Sequence, residues 1–481
     1  MRREQSSEGV DVAQRRSGRA RRRRGGRLVA AAMSAGVVVA AGAGDAVAGS
    51  PFVDAPGGAV SAADRAFDVA EYDVTMSYHP DSATLEGVTT ISATADEALG
   101  RVALDLSGLT VRSVTVDSRV ASFTQTDSAD LVVVPATSIE AGDRFQVRVE
   151  YDGTPGAGWL PTVSGGATAF MGRSSAWFPA VEEAFDKASF RLTATVPTGW
   201  SVVSVGREGP VREGPDTTTF HWSEPAVDPA HLAVTVDRLT IDRTELADGT
   251  PVVTAYAPGL EAATRPLAAR LPEILDFLAE LFGPYPFDAA GNVFVHVNDD
   301  GPATAPQTRP VYLGAGNERF MNLEAVVHEQ AHQWYGVSTA HRTSADLCLS
   351  ECLAVYTTWL WDEAKDGADL DARHRDHIEA NRDDDAFWAP LYRPGVGAGM
   401  NVYQKGPSAV HALRRQIGDE AFFAVLRRWP REHRGDHVEW PRFEAFVEEV
   451  AGRDLTAFFD DWFRGSTVPS EEHLGRGVAF R

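Results

Sequence analysis

The sequence predicts a multidomain α+β protein, in which an N-terminal antiparallel β domain precedes a mainly helical domain. Short runs that alternate apolar and polar residues, such as YDVTMSY and FQVRVEYDG, fill the chain from about residue 68 to 248. Near Ala263 the apolar spacing becomes helical, as in RPLAARLPEILDFLAELFG. Strands alternate with a period of two and helices with a period near 3.6, so this change marks a new domain. We place the β domain at 66–250 and the helical domain at 251–470.

The segments that fit each period follow one another along the chain. In the β domain, turn-forming residues separate runs such as TLEGVTTISATA and RVALDLSGL, as expected of strands. In the second domain GNVFVHVND has the composition of a strand. Helical spacing follows in MNLEAVVHEQAHQWYG, DLCLSECLAVYTTWLWDEA, GPSAVHALRRQIG and WPRFEAFVEEVAG.

Residues 1–48 are predicted to be a signal peptide. A basic run, RRSGRARRRRGGR, precedes an apolar run too short to span a bilayer, and Ala46-Val47-Ala48 then has the A-x-A form of a cleavage site. The arginines alone would also allow a disordered arm that binds nucleic acid. The apolar run and the cleavage motif favour export, so we expect a secreted or extracytoplasmic protein that starts near Gly49.

Without this segment the chain is strongly acidic. Removing its ten arginines and four acidic residues lowers the formal net charge from −23 to −29. Such a charge opposes binding to nucleic-acid phosphates or to anionic membrane surfaces. No later segment is long and apolar enough to cross a membrane, so the sequence predicts neither a nucleic-acid partner nor a stable membrane span.

The two cysteines, Cys348 and Cys352, are predicted to be free and mostly buried thiols. They are too few for a disulfide framework, although the chain is predicted to be exported. They also lie four residues apart in a helical pattern, and side chains on consecutive helical turns rarely meet disulfide geometry.

One segment predicts a metal site. His328, Glu329 and His332 fit the pattern H-E-x-x-H, in which two histidines one helical turn apart bind a zinc ion and the glutamate lies beside it. A catalytic zinc needs a third protein ligand, and Glu351 follows His332 after eighteen intervening residues, room enough to enter the next helix. The alternative is a pair of core histidines with an unrelated acid. We expect His328, His332 and Glu351 to hold one Zn²⁺ per chain.

The pattern resembles that of the aminopeptidase N-like gluzincin metallopeptidases, peptidase family M1. HEQAHQWYG is similar to the family's H-E-x-x-H-Q-W-F-G, and SAWFPAVEEAFDKASF is similar to W-F-P-x-x-D-x-P-x-x-K-A-x-F. DLTAFFDDWFRGSTVP resembles the end of the short bacterial form, which lacks the helical C-terminal domain. The resemblance covers nearly the whole mature chain. It implies a β-sandwich or saddle domain, a thermolysin-like zinc peptidase domain, and peptide or protein substrates, with the oligomeric state left open.

The resemblance also implies two catalytic residues, Glu329 and Tyr403. In metal-assisted hydrolysis Glu329 takes a proton from the attacking water and passes it to the leaving amine. Tyr403 lies in VYQKG, where the family has a tyrosine in Y-E-K-G whose hydroxyl stabilises the oxyanion.

The chain departs from the family where aminopeptidases read the amino end of the substrate. Short bacterial members have A-L-E-T-Q-T-R-P there, and its glutamate binds the free amine. In ATAPQTRPVY, Ala305 stands at that glutamate and Pro306, which lacks a backbone donor, stands beside it. The β domain offers Glu182 or Glu183 as an alternative anchor.

Three interpretations of function therefore stay open. The first is an exported zinc aminopeptidase with an altered amino-terminus anchor. The second is a zinc hydrolase with non-aminopeptidase selectivity. The third is a catalytically weak binding homologue that keeps the fold and the metal.

Overall fold

The protein is represented by a computed structural model that describes residues 61–126, 130–182, 186–298, 302–314, 321–393 and 401–475. The predicted signal peptide lies outside the described residues. Within the described part of the chain, no helix has both the length and the apolar character needed to cross a membrane.

The first part of the described chain consists of strands joined by turns, as the alternating pattern predicts. The strands are β1 (Phe67–His79), β2 (Thr84–Ala95), β3 (Val102–Asp105), β4 (Leu109–Val116), β5 (Arg119–Val120), β6 (Ser122–Gln125), β7 (Asp130–Val134), β8 (Arg144–Gly153), β9 (Trp159–Pro161), β10 (Ala167–Ala169), β11 (Ala188–Pro197), β12 (Ser201–Ser204), β13 (Arg207–Glu208), β14 (Arg212–Glu213), β15 (Thr217–Val227), β16 (Val234–Asp237), β17 (Thr240–Glu245) and β18 (Pro251–Tyr256). Along β2 and β8, buried residues alternate with more exposed ones, which is why these segments form strands with one face on the core.

The largest sheet has nine strands, in the order β13-β15-β11-β1-β2-β8-β4-β5 with β14 beside β15. Its neighbouring strands are antiparallel, as predicted, except for β1 and β11, which run parallel with Glu71 opposite Ser189. Two smaller sheets have the orders β12-β16-β10-β9 and β3-β7-β6. The alternation of a strand sets which face each residue occupies, but it does not set the direction of the neighbouring strand.

The second part of the described chain is mainly helical, so the predicted fold class is confirmed. Its elements are α1 (Glu261–Ala268), α2 (Leu271–Phe282), β19 (Ala290–His296), β20 (Val311–Gly314), α3 (Leu323–Ala331), β21 (Ala340–His341), α4 (Glu351–Asp366), α5 (Leu370–Ala380), α6 (Asn401–Ile417), α7 (Asp419–Glu432), β22 (His437–Val438), α8 (Trp440–Ala451) and α9 (Thr456–Phe459). Helix α4 packs against both α3 and α6, which brings three helices around one site.

The predicted domain boundary at residue 250 falls in the turn between β17 and β18. These strands pair antiparallel, and β18 then pairs parallel with β19 in a sheet that ends at β20. One sheet thus contains strands from both sides of residue 250, and the domain limits stay a prediction.

The prediction of free thiols is wrong, because Cys348 and Cys352 form a disulfide. Cys348 lies in a 3-10 helix, Ser344–Leu349, whereas Cys352 lies in the first turn of α4, so the two residues are not on one continuous helix. Their Cα atoms are 4.7 Å apart, within the range that a disulfide spans. The bond ties the start of α4 to the segment before it, on either side of Glu351.

Candidate metal centre

Helix α3 presents the two predicted histidine ligands one turn apart. It begins after Asn322, whose side-chain oxygen accepts a hydrogen bond of 2.8 Å from the N–H of Ala325 and so caps the first turn. His332 directly follows the last residue of the helix, and its N–H still donates to the carbonyl oxygen of His328 at 3.3 Å. The two imidazoles therefore share one helix face.

The three predicted metal ligands meet at one point. Nε2 of His328 and Nε2 of His332 are 3.1 Å apart, and each lies 3.4 Å from Oε2 of Glu351. Zinc binds such atoms tetrahedrally at about 2.0–2.2 Å, which puts two ligand atoms about 3.3–3.5 Å apart. The spacing of His328, His332 and Glu351 therefore fits one metal ion.

The surroundings of the three ligands suit a cation. His332 Nδ1 lies 2.9 Å from the carbonyl oxygen of Tyr335, and donating to it leaves the Nε2 lone pair for a metal. Oε2 of Glu351 is buried without a hydrogen-bond partner, as expected of an oxygen that faces a metal ion. Burial opposes ionisation of Glu351, but its interactions with His332 and His328 outweigh burial and hold the pKa of the carboxyl below its usual range.

A tight turn directly after α3 packs closely against His332. Gly336 has a φ of +125°, and a Cβ there would lie 3.2 Å from His332 Nδ1 and 3.2 Å from Ser350 Cβ. Lys187, from the β-rich part, donates to the carbonyl oxygens of Val337 and Ser338 at 2.9 and 3.1 Å. Lys187 lies in the segment SAWFPAVEEAFDKASF, whose similarity to the family did not predict this role.

Gln333 joins the end of α3 to the segment that contains Ala305. Its side-chain oxygen accepts from the N–H of Thr308 at 2.7 Å, and its side-chain nitrogen donates to the carbonyl oxygen of Pro306 at 3.1 Å. Gln333 is fully buried, so both bonds are shielded from water. A single glutamine carries no spacing signal, and sequence reasoning did not assign it a role.

The two predicted catalytic residues lie beside the three ligands. Glu329 is buried on α3, and burial raises the pKa of its carboxyl above the usual range. Tyr403 is on α6, with its ring centroid 6.3 Å from that of His328, and burial raises the pKa of its hydroxyl well above the usual value. Tyr403 therefore stays protonated at neutral pH and is a hydrogen-bond donor.

Close packing brings α6 to the metal ligands. Gly406 is so near α4 that a Cβ there would lie 2.7 Å from Cys352 Sγ. Lys405 is fully buried and donates to the carbonyl oxygens of Trp388, Ala389 and Gly465, each at 3.2 Å. These contacts fix the first turn of α6, which carries Tyr403.

The predicted ligands and catalytic residues line one cavity of about 190 Å³. Its described lining residues come from both parts of the chain and are Phe170, Met171, His231, Pro302, Ala303, Thr304, Ala305, His328, Glu329, His332, Gly336, Val337, His341, Ser350, Glu351 and Tyr403. Ala305 is thus at the cavity, where the sequence comparison with the family put it. Glu182 is not in this lining and accepts a hydrogen bond of 2.6 Å from the N–H of Ser175, while Glu183 lies outside the described residues.

Solved structures of M1 zinc metallopeptidases have a fold similar to that of this chain. A crystal structure of an M1 zinc metallopeptidase from Deinococcus radiodurans is similar over 87% of this chain and 97% of that one, with a TM-score of 0.75 and 24% sequence identity. The chain therefore has the fold of the M1 zinc metallopeptidases. A mutant M1 zinc metallopeptidase from Deinococcus radiodurans, solved with a Tyr-Ser-Ala substrate, is similar with a TM-score of 0.74 and 24% identity, over 84% of this chain and 96% of that one.

Sequence comparison finds aminopeptidases. The human aminopeptidase RNPEPL1 is 26% identical over 371 residues, which are 71% of this chain and 49% of the human protein. Aminopeptidase N of Streptomyces lividans is 23% identical over 317 residues, or 60% of this chain and 37% of that protein. This chain therefore spans about half the length of such relatives, or less. No protein-family model matches it.

Proposed function

We propose that the chain is an exported zinc metallopeptidase that hydrolyses peptide bonds, of the aminopeptidase type but with an altered amino-terminus anchor. One observation carries the proposal: His328, His332 and Glu351 converge with zinc-ligand spacing in the same cavity as Glu329 and Tyr403. A protein that only binds peptides has no need of the last two groups. The aminopeptidase relatives and the M1 zinc metallopeptidase structures support this choice.

The zinc ion, Glu329 and Tyr403 would each have a separate role in hydrolysis. Zinc, when bound, lowers the pKa of a coordinated water and polarises a carbonyl. Glu329 takes the proton of the attacking water, and its raised pKa makes it a stronger base than an exposed glutamate. It then gives that proton to the leaving amine. Tyr403, which is partly buried, donates a hydrogen bond to the oxyanion, where a donor shielded from water is most effective.

Glu351→Ala is expected to weaken zinc binding, by more than about tenfold, because it removes one of three protein ligands. The measurement is the dissociation constant for zinc by competition with a chelator of known affinity. Asp366→Ala is the matched control, since it removes an exposed carboxylate from the other end of the same helix. Equal zinc affinity in the two variants would exclude Glu351 as a ligand.

Export is the second component of the proposal. It is motivated by the basic and apolar runs of residues 1–48, and the disulfide between Cys348 and Cys352 supports it, because such bonds persist mainly in oxidising compartments. We expect the secreted protein to begin near Gly49 when its amino terminus is sequenced. A protein retained inside the producing cell with Met1 still attached would contradict export.

A further inference from the structure

The described residues that line the cavity beside the metal cluster offer no spare charge to a charged end of a substrate. Among its described lining residues the carboxylates are Glu329 and Glu351. In the proposed function Glu329 transfers the proton and Glu351 binds the metal. The same described lining contains neither lysine nor arginine. An ammonium or carboxylate group that contacts only these described residues would therefore leave water without gaining a counter-charge, which is unfavourable.

Several lining residues give the cavity an apolar surface instead. They are Phe170, Met171, Pro302, Ala303, Ala305 and Val337. Ala305 is only 4% exposed, so its methyl group is part of a packed wall. The neighbouring Pro306 has no N–H, so this residue offers a substrate no backbone donor, and its carbonyl oxygen accepts from Gln333. Such a surface favours an apolar, uncharged group.

His231 adds a neutral polar group to the same lining. Its Nδ1 is buried and has no hydrogen-bond partner, while its backbone oxygen accepts from the N–H of Gln307 at 3.0 Å. Burial lowers the pKa of His231 to about 4, so the ring is neutral at pH 7. A neutral imidazole can exchange one hydrogen bond with an amide, but it does not compensate a full charge.

The size of the cavity limits what enters it. At about 190 Å³ it is smaller than the roughly 300–1,000 Å³ of common ligand pockets, so the part of a substrate that it encloses is a short group. We propose that the substrates have an uncharged amino end, as N-acylated peptides do, and that the cavity binds the acyl group and the residue next to it. This inference rests on the proposed function and deepens it by naming the substrate class.

The first test uses the native, zinc-loaded chain. A library of hexapeptides is prepared twice, once with free and once with acetylated amino termini, and the cut bonds are mapped by mass spectrometry. We expect bonds next to the first residue to be cut at least about tenfold faster in the acetylated set, since a free ammonium would be buried unpaired. A free-amine set that is cut tenfold faster, or equal rates in the two sets, would overturn the inference.

A charge placed at Ala305 tests whether the lack of a counter-charge causes the preference for acetylated peptides. Ala305→Glu should shift the ratio of the two rates toward the free amine by roughly ten- to a hundredfold, because a carboxylate would pair with the ammonium. Ala305→Gln is the matched control, as it adds a side chain of nearly the same size without the charge and should leave the ratio close to that of the native protein. Equal shifts in both variants would show that size, not charge, sets the preference. Zinc content and melting temperature report whether each variant folds.

Binding without turnover separates this inference from the proposed function. The zinc-loaded Glu329→Gln variant is titrated by calorimetry with the best matched pair of acetylated and free hexapeptides. Tighter binding of the acetylated peptide supports the inference about the substrate class. If the native protein also cuts neither peptide, the proposed hydrolysis is contradicted while the inference about binding stands. Tighter binding of the free peptide, or equal binding, contradicts the inference even if the native protein hydrolyses both.

Discussion

Glu329→Gln is expected to keep zinc and to lose nearly all peptide hydrolysis. The change replaces a buried carboxylate by an amide of the same shape, so the packing of α3 and the three metal ligands should be preserved. The amide cannot take a proton from water or return one to the leaving amine. Loss of a general acid–base residue typically slows a reaction by about 10²- to 10⁴-fold, and we expect a fall in kcat within that range.

The same helix supplies the control for this variant. Glu324 is a half-buried carboxylate one turn before His328, and it does not line the cavity. Glu324→Gln should therefore retain both zinc and turnover. Steady-state rates and zinc content are measured on both proteins. If Glu329→Gln hydrolysed peptides at the native rate, Glu329 would not be the base; if it lost zinc, its role would include holding the metal site.

The metal cluster was predictable from sequence because its signal is periodic. Residues four apart on a helix share a face, so His328 and His332 predict each other's position, and the interval to Glu351 leads into the next helix. The structure brings these three residues together as predicted. The change from a strand period to a helical period likewise predicted the order of the two parts of the chain.

The remaining features depend on contacts that no local pattern encodes. The disulfide was missed because the spacing of Cys348 and Cys352 suggested one helix, whereas the chain changes from a 3-10 to an α-helix between them. Lys187 and His231 reach the site from the β-rich part of the chain. Lys187 lies 150 residues before Val337, to which it donates, and neither Lys187 nor His231 has a spacing relation to the metal ligands. Long-range packing decides such positions, and only the fold displays it.

Tyr403→Phe is expected to lower kcat by about 10²- to 10³-fold while leaving zinc content and KM nearly unchanged. The phenylalanine keeps the ring that lies 6.3 Å from His328, so the packing of α6 is maintained and only the hydroxyl is lost. Because burial raises the pKa of Tyr403 well above its usual value, this hydroxyl is a donor throughout the neutral range. The bond it donates strengthens as charge develops on the oxyanion, so its loss raises the barrier by about 3–4 kcal/mol and barely affects substrate binding.

A second tyrosine distinguishes this role from a general effect of removing a hydroxyl. Tyr392 is half-buried outside the cavity lining, and Tyr392→Phe should have native kinetics. Pre-steady-state measurement of bond cleavage would place the defect of Tyr403→Phe in the chemical step and not in product release. Normal turnover in Tyr403→Phe would rule out the oxyanion role. A rise in KM with unchanged kcat would instead assign Tyr403 to uniform binding of the substrate, because an interaction made only in the transition state cannot produce that pattern.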